Sequence, residues 1–372
     1  VPHLRFPEFS GEWERKRLKD VCNIRTGNKN TQDKSDNGIY PFYVRSQIVE
    51  RINSWTFDGE AILTAGDGVG VGKVFHYSTG KIGVHQRVYI LSDFKCDGKY
   101  LYSYFAGNFY NRVKRMSAKN SVDSVRMEMI ADMPIALPSI EEQKKIGHLL
   151  ALLDDRIATQ NKIIEKLQSL IKGIVDELMT VLLKGELYPF ASLYIKAGEG
   201  GTPTTSVSKY YSGGSIPFIK IDDLSQKYLT SNKDFITELG MQKSSAWLIP
   251  SQSVIYSNGA TIGAISINKY PVCTKQGILG IVPNINVNVE YLYLLMSSSY
   301  FSKEVGRIIT EGTMKTAYLK DINHIKSPLP SKAQQQNITN LTSSIEKKLS
   351  MEQNCLKFLK LQKQHLLRTM FI

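Results

Sequence analysis

Residues 137–178 have the sequence LPSIEEQKKIGHLLALLDDRIATQNKIIEKLQSLIKGIVDEL, and residues 329–370 have the sequence LPSKAQQQNITNLTSSIEKKLSMEQNCLKFLKLQKQHLLRTM. The two stretches align without a gap, which pairs Pro138 with Pro330 and Gln143 with Gln335. Self-similarity at a fixed shift indicates that a structural unit has been duplicated within the chain. The fold is therefore predicted to consist of one unit used twice.

Apolar residues in both stretches recur at alternating intervals of four and three, which is the heptad pattern of a coiled coil. Polar Gln160 interrupts the first seam at the position where Glu352 interrupts the second. This pattern predicts a helix of about 40 residues, or about 60 Å, at the end of each half. The seam consists of Ile146, Leu150, Leu153, Ile157, Ile164 and Leu167 in the first helix, and of Ile338, Ile345, Leu349, Leu356, Leu359 and Leu366 in the second.

The two helix starts differ in their capping signals. Ser139 precedes the acidic pair Glu141 and Glu142, which is typical of a capped helix N-terminus. Ser331 is followed by Lys332 instead, so the second start carries a weaker signal.

A single apolar stripe at this spacing is also typical of a helix that packs on a globular core. Two seams of equal length and phase in one chain favour packing of the helices on each other. We predict an intramolecular two-stranded coiled coil, with an antiparallel direction that would let two globular domains lie at opposite ends. In that arrangement Ile146 approaches Met370, whereas in a parallel pair it would approach Ile338.

The segments in front of the two helices also resemble each other. Ala61–Gly66 is similar to Val254–Gly259, and Val84-His85-Gln86 is similar to Thr274-Lys275-Gln276. Both segments are rich in β-branched and aromatic residues and are interrupted by Gly, Asn or Asp about every 8 to 12 residues, which predicts strands and turns. Tyr and Leu at helical spacing predict one helix in each segment.

The predicted fold class is therefore α+β: two repeated α/β domains, each followed by a long helix, with the two helices paired as an antiparallel coiled coil. The helices inside the domains are predicted at residues 100–115 and 290–307. We divide the chain into domain 1 (residues 1–138), a first helical spacer (139–186), domain 2 (187–330) and a second helical spacer (331–372).

The 372 residues include 47 Lys and Arg against 34 Asp and Glu, a formal net charge of +13, and 42% are hydrophobic. This composition excludes an acidic, disordered or collagen-like chain, and the charge favours an anionic partner. The longest apolar runs, such as residues 278–282, are too short to cross a bilayer, and residues 1–10 lack the features of a signal peptide. The four cysteines are far apart and form no CxxC pair, which fits a reducing cytoplasm and predicts no zinc site.

The glycine-rich run of residues 66–73, GDGVGVGK, is the stretch most similar to a cofactor motif. It satisfies neither the GxGxxG spacing of a dinucleotide site nor the GxxxxGK[ST] spacing of a phosphate loop. We predict instead a tight strand-turn-strand in which the backbone approaches a neighbour closely. The chain also lacks HExxH, GxSxG and an Asn-Pro-Pro-aromatic or Asp-Pro-Pro-aromatic tetrapeptide, so neither a catalytic residue nor a metal site is predicted.

These features together resemble the specificity (S) subunit of type I restriction-modification systems. The resemblance covers essentially the whole chain, although Gly27-Asn28-Lys29 stands where Gly-Thr-Pro is usual in that family. It rests on the duplicated Leu-Pro-Ser helix starts followed by Gln143 and Gln335, on Leu4-Arg5-Phe6-Pro7-Glu8-Phe9 with Gly11-Glu12-Trp13, on Leu18-Lys19-Asp20-Val21, and on Gly200-Gly201-Thr202-Pro203.

The resemblance implies a non-catalytic, double-stranded-DNA-binding subunit with two target recognition domains, each specific for one half of a split target. It further implies two methyltransferase subunits, which use S-adenosylmethionine to modify adenine N6 and dock on the helical region. Restriction subunits that use ATP and Mg²⁺ would join the same complex, in the cytoplasm of a bacterium or archaeon. No cofactor is expected in this chain. The alternatives are an autonomous DNA-binding or architectural protein that dimerises through its coiled coil, and an enzyme whose site matches no known motif.

Candidate DNA contacts are polar residues in the predicted loops. Base edges are recognised mainly by Arg, Lys, Asn and Gln, and phosphates by Lys, Arg, Ser and Thr. Gln86 and Gln276 are the first choices, because they occupy similar places in the two halves beside a basic residue. The full set is Arg25, Lys29, Arg45, Ser46, Gln47, Lys73, His85, Gln86, Arg87, Lys119 and Asn120 in domain 1, and Lys220, Asp222, Asn258, Thr261, Lys275, Gln276, Lys315 and Thr316 in domain 2.

Overall fold

The computed structural model describes residues 2–116, 124–259, 261–309 and 315–371. The chain divides into two compact units. Unit 1 consists of Val1–Lys162 and Gln353–Ile372, and unit 2 of Ile163–Glu352. Each unit therefore contains one globular domain, together with part of the first long helix and part of the second.

Domain 1 is built mainly from short strands. One antiparallel sheet has the strand order β2-β9-β6-β7, a second sheet has the order β4-β3-β8-β5 with β3 and β8 parallel, and β1 pairs with β10. The elements in chain order are β1 (Glu14–Arg17), α1 (Leu18–Val21), β2 (Asn23–Thr26), β3 (Tyr40–Tyr43), β4 (Glu50–Ile52), β5 (Phe57–Asp58), β6 (Ala61–Ala65), β7 (Phe75–Ser78), β8 (Lys81–Val84), β9 (Val88–Ser92), α2 (Gly98–Met116), α3 (Met127–Ala131), β10 (Pro134–Leu137) and the first long helix, α4 (Ile140–Leu182).

Domain 2 repeats this plan with changes. Its larger sheet has the order β12-β19-β16-β17-β14, its smaller sheet β15-β13-β18 again contains one parallel pair, and β11 pairs with β20. Its elements are β11 (Leu187–Pro189), β12 (Tyr194–Glu199), β13 (Ile216–Ile219), β14 (Tyr228–Leu229), β15 (Asp234–Ile236), α5 (Glu238–Gln242), β16 (Val254–Ser257), β17 (Ile265–Asn268), β18 (Cys273–Thr274), β19 (Ile278–Pro283), α6 (Val289–Ser297), α7 (Ser299–Ile308), α8 (Leu319–Ile322), β20 (Lys326–Pro328) and the second long helix, α9 (Lys332–Thr369).

The core of unit 1 contains aromatic residues of α2. Phe105 and Phe109 are fully buried and stack with their ring centroids 4.5 Å apart, and Phe75 meets Phe105 edge to face at 5.5 Å. Ile146 from α4 and Met370, directly after α9, belong to the same buried cluster. Parts of both long helices thus complete the hydrophobic core of the domain, which a short sheet could not bury alone.

The core of unit 2 has the corresponding composition. Tyr256 of β16, Tyr291 of α6 and Phe301 of α7 are buried together with Val175 from α4 and Ile338 from α9. The domain is therefore closed by the same two long helices, at different positions along their lengths.

The two long helices confirm the predicted pattern. Every residue predicted in the two seams is buried or half-buried, and none is exposed. Ser139 Oγ accepts a hydrogen bond from Glu142 N at 3.3 Å, as a capping residue does.

The second helix start is better capped than its sequence signal suggests. Ser331 Oγ accepts from Gln334 N at 3.3 Å, and Gln334 Oε1 accepts from Ser331 N at 3.0 Å. This reciprocal pair is a capping box, and Lys332 does not disturb it because the box depends on the residue three positions after the cap.

Hydrogen bonds correct the alignment of Ala61–Gly66 with Val254–Gly259 by one residue. Gly66 O accepts from Val125 N at 2.7 Å, and in domain 2 it is Asn258 O that accepts from Ala317 N, at 2.9 Å. Asn258 thus occupies the place of Gly66, and Gly259 occupies the next one. The sequence match favoured the shared glycine, whereas the backbone pairing fixes the true equivalence.

The helix predicted at residues 290–307 is two helices. Ser298 lies between α6 and α7 in an extended conformation, with φ −69° and ψ 155°. Its Oγ accepts from Phe301 N at 3.2 Å and so caps α7. The apolar periodicity continues across this break, so periodicity could not reveal it.

None of the helices in the described part of the chain is long and apolar enough to span a membrane.

Candidate nucleic-acid interface

The turn between β8 and β9 gathers predicted DNA contacts of domain 1. His85 and Lys29 form an isolated parallel bridge, and Gln86 N donates to Lys29 O at 2.8 Å. The exposed Gln86 side chain donates from Nε2 to Asn30 Oδ1 at 2.6 Å. Lys29 and Gln86 therefore lie side by side, on loops joined by backbone hydrogen bonds.

The side chain of His85 stabilises this turn. It is buried, its Nδ1 accepts a hydrogen bond from Arg87 N at 3.0 Å, and its Nε2 lies 3.3 Å from Thr31 Oγ1. Burial, with the positive charge of Arg45, lowers the pKa of His85 and favours the neutral ring. The imidazole supports the loop and does not face solvent, so its expected contact with DNA is not available in this conformation.

The glycine-rich run forms the predicted strand-turn-strand. It joins the antiparallel strands β6 and β7, and Gly68 and Gly72 have φ of +77° and +65°, which favour glycine. Asp67 in this turn lies between two arginines, with its Oδ1 2.9 Å from Arg45 Nη1 and its Oδ2 3.6 Å from Arg87 Nε.

The neighbouring loop adds Ser46, Gln47 and Lys73. Gln47 Nε2 donates to Lys73 O at 3.2 Å, and Lys73 Nζ lies 5.5 Å from the centre of the Tyr110 ring. Ser46 is half-buried, and its carbonyl oxygen lies 3.0 Å from His76 Nε2. Ser46, Gln47 and Lys73 thus lie beside Arg45, and we call these four residues, together with Gln86 and Arg87, the polar edge of domain 1.

Arg25, also predicted in domain 1, makes a different contact. Arg25 lies in strand β2 with its guanidinium 5.0 Å from the centre of the Phe57 ring, so it packs on an aromatic residue. Lys119 and Asn120 lie outside the described residues.

Domain 2 places Lys275 and Gln276 at the position of His85 and Gln86. Lys275 N donates to Ile219 O at 3.0 Å, as His85 N donates to Tyr43 O at 3.0 Å. Both side chains are exposed, and Gln276 N donates to Thr202 Oγ1 at 3.3 Å. The two glutamines that sequence comparison selected therefore occupy equivalent backbone positions.

Asn258 has a different role from the predicted one. Its side chain is fully buried and donates from Nδ2 to Ala317 O at 3.1 Å, so it fixes the loop and cannot contact DNA in this conformation. Thr261 is exposed in the same loop, and Lys315 and Thr316 directly precede Ala317.

Lys220 and Asp222 lie at the end of β13. Lys220 Nζ forms an ion pair with Asp234 at 2.9 Å, and its backbone N donates to Asp223 Oδ2 at 2.9 Å. Asp222 is exposed within a single 3₁₀ turn, Ile221–Asp223. The ion pair makes Lys220 less free to contact phosphate than its sequence context suggests.

Sequence analysis missed Asp67 and Thr202. Asp67 lies within the glycine-rich run, and no local signal indicates that Arg45 and Arg87 meet it. Thr202 was noted only as part of a family motif. Both become visible when the tertiary fold brings separate loops together.

Among the described residues, no group of three or more His, Cys, Asp or Glu could hold a metal ion. Burial raises the pKa of Cys22 and Cys96 to about 12 and that of Cys273 to about 11, so these thiols are protonated and poor nucleophiles. Exposed polar side chains lie at this place in both domains, Gln86 with Arg45 and Arg87 in domain 1 and Lys275 with Gln276 in domain 2, and such side chains suit contact with bases and phosphates.

Comparison with known families shows the same duplication. A model described as the type I restriction modification DNA specificity domain matches residues 10–169 and again residues 194–360. The two matches cover most of the chain.

Curated relatives are specificity subunits as well. That of the type I restriction enzyme EcoDI from Escherichia coli is 28% identical over 176 residues, which is 47% of this chain and 39% of that protein. The MjaIX subunit from Methanocaldococcus jannaschii is 31% identical over 147 residues, 39% of this chain and 34% of that protein. The MjaVIII subunit from the same organism is 24% identical over 378 residues, 92% of this chain and 87% of that protein. The chain thus spans less than two fifths of the EcoDI and MjaIX subunits but most of MjaVIII.

A solved structure shares the fold. The S subunit of a type I restriction-modification system from M. genitalium aligns with a TM-score of 0.65 at 15% identity, over 100% of this chain and 99% of that one. Together with the duplicated family match, this fold shows that the chain belongs to the family of type I restriction-modification DNA specificity subunits.

Proposed function

We propose that the chain is the non-catalytic DNA-recognition subunit of a type I complex, in which each domain recognises one half-site of a bipartite target. One observation carries this proposal: the two domains present different side chains from equivalent backbone positions. Residues 85–87 are His-Gln-Arg, of which Gln86 and Arg87 are exposed, and residues 275–277 are Lys-Gln-Gly, of which Lys275 and Gln276 are exposed. A common scaffold with different exposed side chains is what recognition of two different half-sites requires.

The net charge of +13 has a complementary role. Phosphate attraction is independent of sequence and supplies affinity and positioning, whereas contacts to base edges supply specificity. We assign the excess of Lys and Arg mainly to the first of these effects.

We also propose that the long helices pair as an antiparallel coiled coil. In unit 1, Lys363 of α9 forms an ion pair with Asp154 of α4, and Met370 shares a core with Ile146. Residues later in α4 thus lie beside residues earlier in α9, so the two helices run in opposite directions. These contacts within one chain favour an intramolecular pair over a coiled coil formed between two chains.

Catalysis is assigned to partner subunits. Two methyltransferase subunits with S-adenosylmethionine would dock on the helical region and modify adenine N6, and restriction subunits with ATP and Mg²⁺ would cleave DNA. The complex would act in the cytoplasm. In this arrangement the chain binds no cofactor itself and selects the site at which its partners act.

The test is a map of methylated adenines in cells that produce the methyltransferase subunits with and without this chain. We expect a bipartite motif that is methylated only when the chain is present. Methyl transfer or cleavage by the purified chain alone would contradict a non-catalytic role, and an unchanged methylation map would contradict the proposed function.

Gln86 and Gln276 provide a test of the two half-sites. Gln86→Ala should relax selection at one half-site and Gln276→Ala at the other, because each removes an exposed amide able to pair with a base edge. A well-formed contact of this type contributes about 1–3 kcal/mol of discrimination, and methylation of a randomised DNA library measures it. Gln226→Ala, at an exposed glutamine outside the predicted set of DNA contacts, is the control. Relaxation of the same half-site by both variants would contradict the assignment.

A further inference from the structure

Two exposed guanidinium groups share one carboxylate at the polar edge of domain 1. Arg45 and Arg87 are 46% and 64% exposed, whereas Asp67, which lies between them, is 27% exposed. Arg45 Nη1 donates a hydrogen bond to Asp67 Oδ1, and Arg87 Nε forms an ion pair with Oδ2 at 3.6 Å. Neither guanidinium has another hydrogen-bond or ion-pair partner among the described residues. As far as the described residues go, their remaining N–H groups are therefore available to a ligand.

The glycine-rich run builds this cluster. Gly66 N donates to Arg87 O at 2.8 Å, and a Cβ atom on Gly70 would lie only 2.5 Å from Arg45 O. Side chains at these positions would push the turn away from both arginines. The glycines thus let one turn contact the backbones of Arg45 and Arg87 and place Asp67 between their side chains.

Domain 2 makes the same backbone hydrogen bond at this place without the charges. Backbone pairing places Gly259 at the position of Asp67 and Gly277 at that of Arg87, since Asn258 N donates to Gly277 O as Gly66 N donates to Arg87 O. A Cβ atom on Gly259 would lie 3.3 Å from Gly277 Cα, so two glycines meet where domain 1 has an ion pair.

The third position differs as well. Ile219 of β13 corresponds to Tyr43 of β3, because Ile219 pairs with Thr274 as Tyr43 pairs with Val84. Ile221 follows Ile219 by two residues, as Arg45 follows Tyr43, so Ile221 stands at the position of Arg45. Since domain 2 makes the same strand pairing and backbone hydrogen bond without charged residues at these three positions, this pairing does not require the cluster.

We propose that Arg45 and Arg87 recognise guanine in the half-site of domain 1 and that Asp67 is the residue that positions them. This inference rests on the proposed function and specifies which base domain 1 recognises. A guanidinium donates two parallel hydrogen bonds to guanine O6 and N7, an arrangement that adenine does not accept. Fixing the guanidinium on a carboxylate reduces the rotamer freedom lost on binding.

The carboxylate argues against a phosphate as the ligand. Asp67 would repel a phosphate group that approached the same two arginines, because both groups are negatively charged. An acidic residue in the centre of a phosphate site would therefore weaken phosphate binding. Beside a neutral base edge, the same carboxylate orients the donors with less repulsion.

The experiment uses the complete chain in complex with the methyltransferase subunits of its own system. Methylation of a DNA library randomised at both half-sites is compared for the wild type, Arg45→Lys, Arg87→Lys, Asp67→Asn and the control Arg51→Lys, whose side chain is exposed on β4. Lysine keeps the charge but not the planar fork. We expect a loss of at least about fivefold in guanine preference at positions of one half-site for Arg45→Lys and Arg87→Lys, with the other half-site and the salt dependence of binding unchanged.

Asp67→Asn separates positioning from charge. It should lose the same guanine preference and also bind non-target DNA more tightly, because a negative charge near the phosphates is removed. As a second measurement, 7-deazaguanine at the affected position should weaken binding by the wild type and should not weaken binding by Arg87→Lys further.

Unchanged guanine preference in the variants, or a wild-type target without a G·C pair in the affected half-site, overturns the inference and leaves the proposed function standing. Equal loss at both half-sites also overturns it, since that result indicates general damage to the complex. A wild-type complex that methylates no bipartite target would refute the proposed function, and the inference with it.

Discussion

His85 illustrates how a polar residue supports the interface without facing DNA. Its neutral ring accepts a hydrogen bond from Arg87 N through Nδ1, which requires the proton to reside on Nε2, beside Thr31. A positively charged ring could not accept that bond and would add charge next to Arg45 and Arg87. The turn that presents Gln86 and Arg87 therefore depends on the protonation state of one buried side chain.

The lowered pKa of His85 predicts a pH dependence of stability. Between its ordinary value of about 6.5 and its lowered value, the unfolded chain binds a proton that the folded chain does not. The free energy of unfolding should fall as the pH falls through this window, by at most about 1.4 kcal/mol per pH unit per histidine, and should not depend on His85 above it. Burial lowers the pKa of His76 in the same direction, so each residue contributes part of the slope.

Urea unfolding of the wild type and of His85→Gln between pH 7.5 and 5.5 measures this effect. The variant should show a shallower slope, and the exposed His365→Gln should retain the wild-type slope. An equal slope in His85→Gln would mean that the folded chain binds the proton as readily as the unfolded one.

At the scale of secondary structure, one glutamine in each half links a long helix to its domain. Gln143 Oε1 accepts from Asp97 N at 3.0 Å while its Nε2 donates to Pro138 O at 2.8 Å. Gln335 makes the corresponding bonds to Asn288 N at 2.7 Å and Pro330 O at 2.8 Å. Each amide thus satisfies both the start of its own helix and the backbone that begins the domain helix, which explains its place shortly after Leu-Pro-Ser.

Loss of either glutamine should be costly. Gln143→Ala and Gln335→Ala each leave a backbone N–H and a carbonyl oxygen without these partners, and both side chains are buried. We expect about 1–3 kcal/mol of destabilisation from each substitution, measured by chemical unfolding of the full chain. Gln364→Ala, at an exposed position of α9, should change stability by less than about 0.5 kcal/mol. A neutral Gln335→Ala would show that water replaces the amide at this position.

At the scale of the molecule, unit 1 is assembled from two segments distant in the chain, whereas unit 2 is one continuous segment. Unit 1 joins residues from both termini: Leu4 N donates to Thr369 O at 2.8 Å, and Arg5 forms a bidentate contact with the buried Glu142. The N-terminal motif that resembles the specificity subunits therefore has a structural role in unit 1, where it holds α4 and α9.

The antiparallel direction can be tested by lysine crosslinking followed by mass spectrometry. Because Asp154 pairs with Lys363, we expect a crosslink between Lys145 and Lys363 within one chain. A crosslink of Lys145 to Lys332 would indicate the parallel direction instead. Monomeric protein, separated from any dimer before digestion, is the sample that distinguishes a link within a chain from a link between chains.

The sequence alone determined the duplication, the two long helices with their seams, and the family. These properties follow from periodic patterns and short motifs. Burial of an apolar seam depends on residue type at fixed spacing, and both can be read directly from the sequence. The same comparison identified Gln86 and Gln276 as equivalent positions.

Only the tertiary structure decided which polar residues lie together and which are exposed. His85 and Asn258 have the residue types of DNA contacts but are buried, and Asp67 meets Arg45 and Arg87 only because three separate loops converge. Ser298 ends a helix whose apolar pattern continues, and Asn258 replaces Gly66 against the apparent alignment. The physical reason is that strand pairing between distant segments determines which side chains are neighbours. The local sequence around a residue does not specify its distance from residues in those other segments.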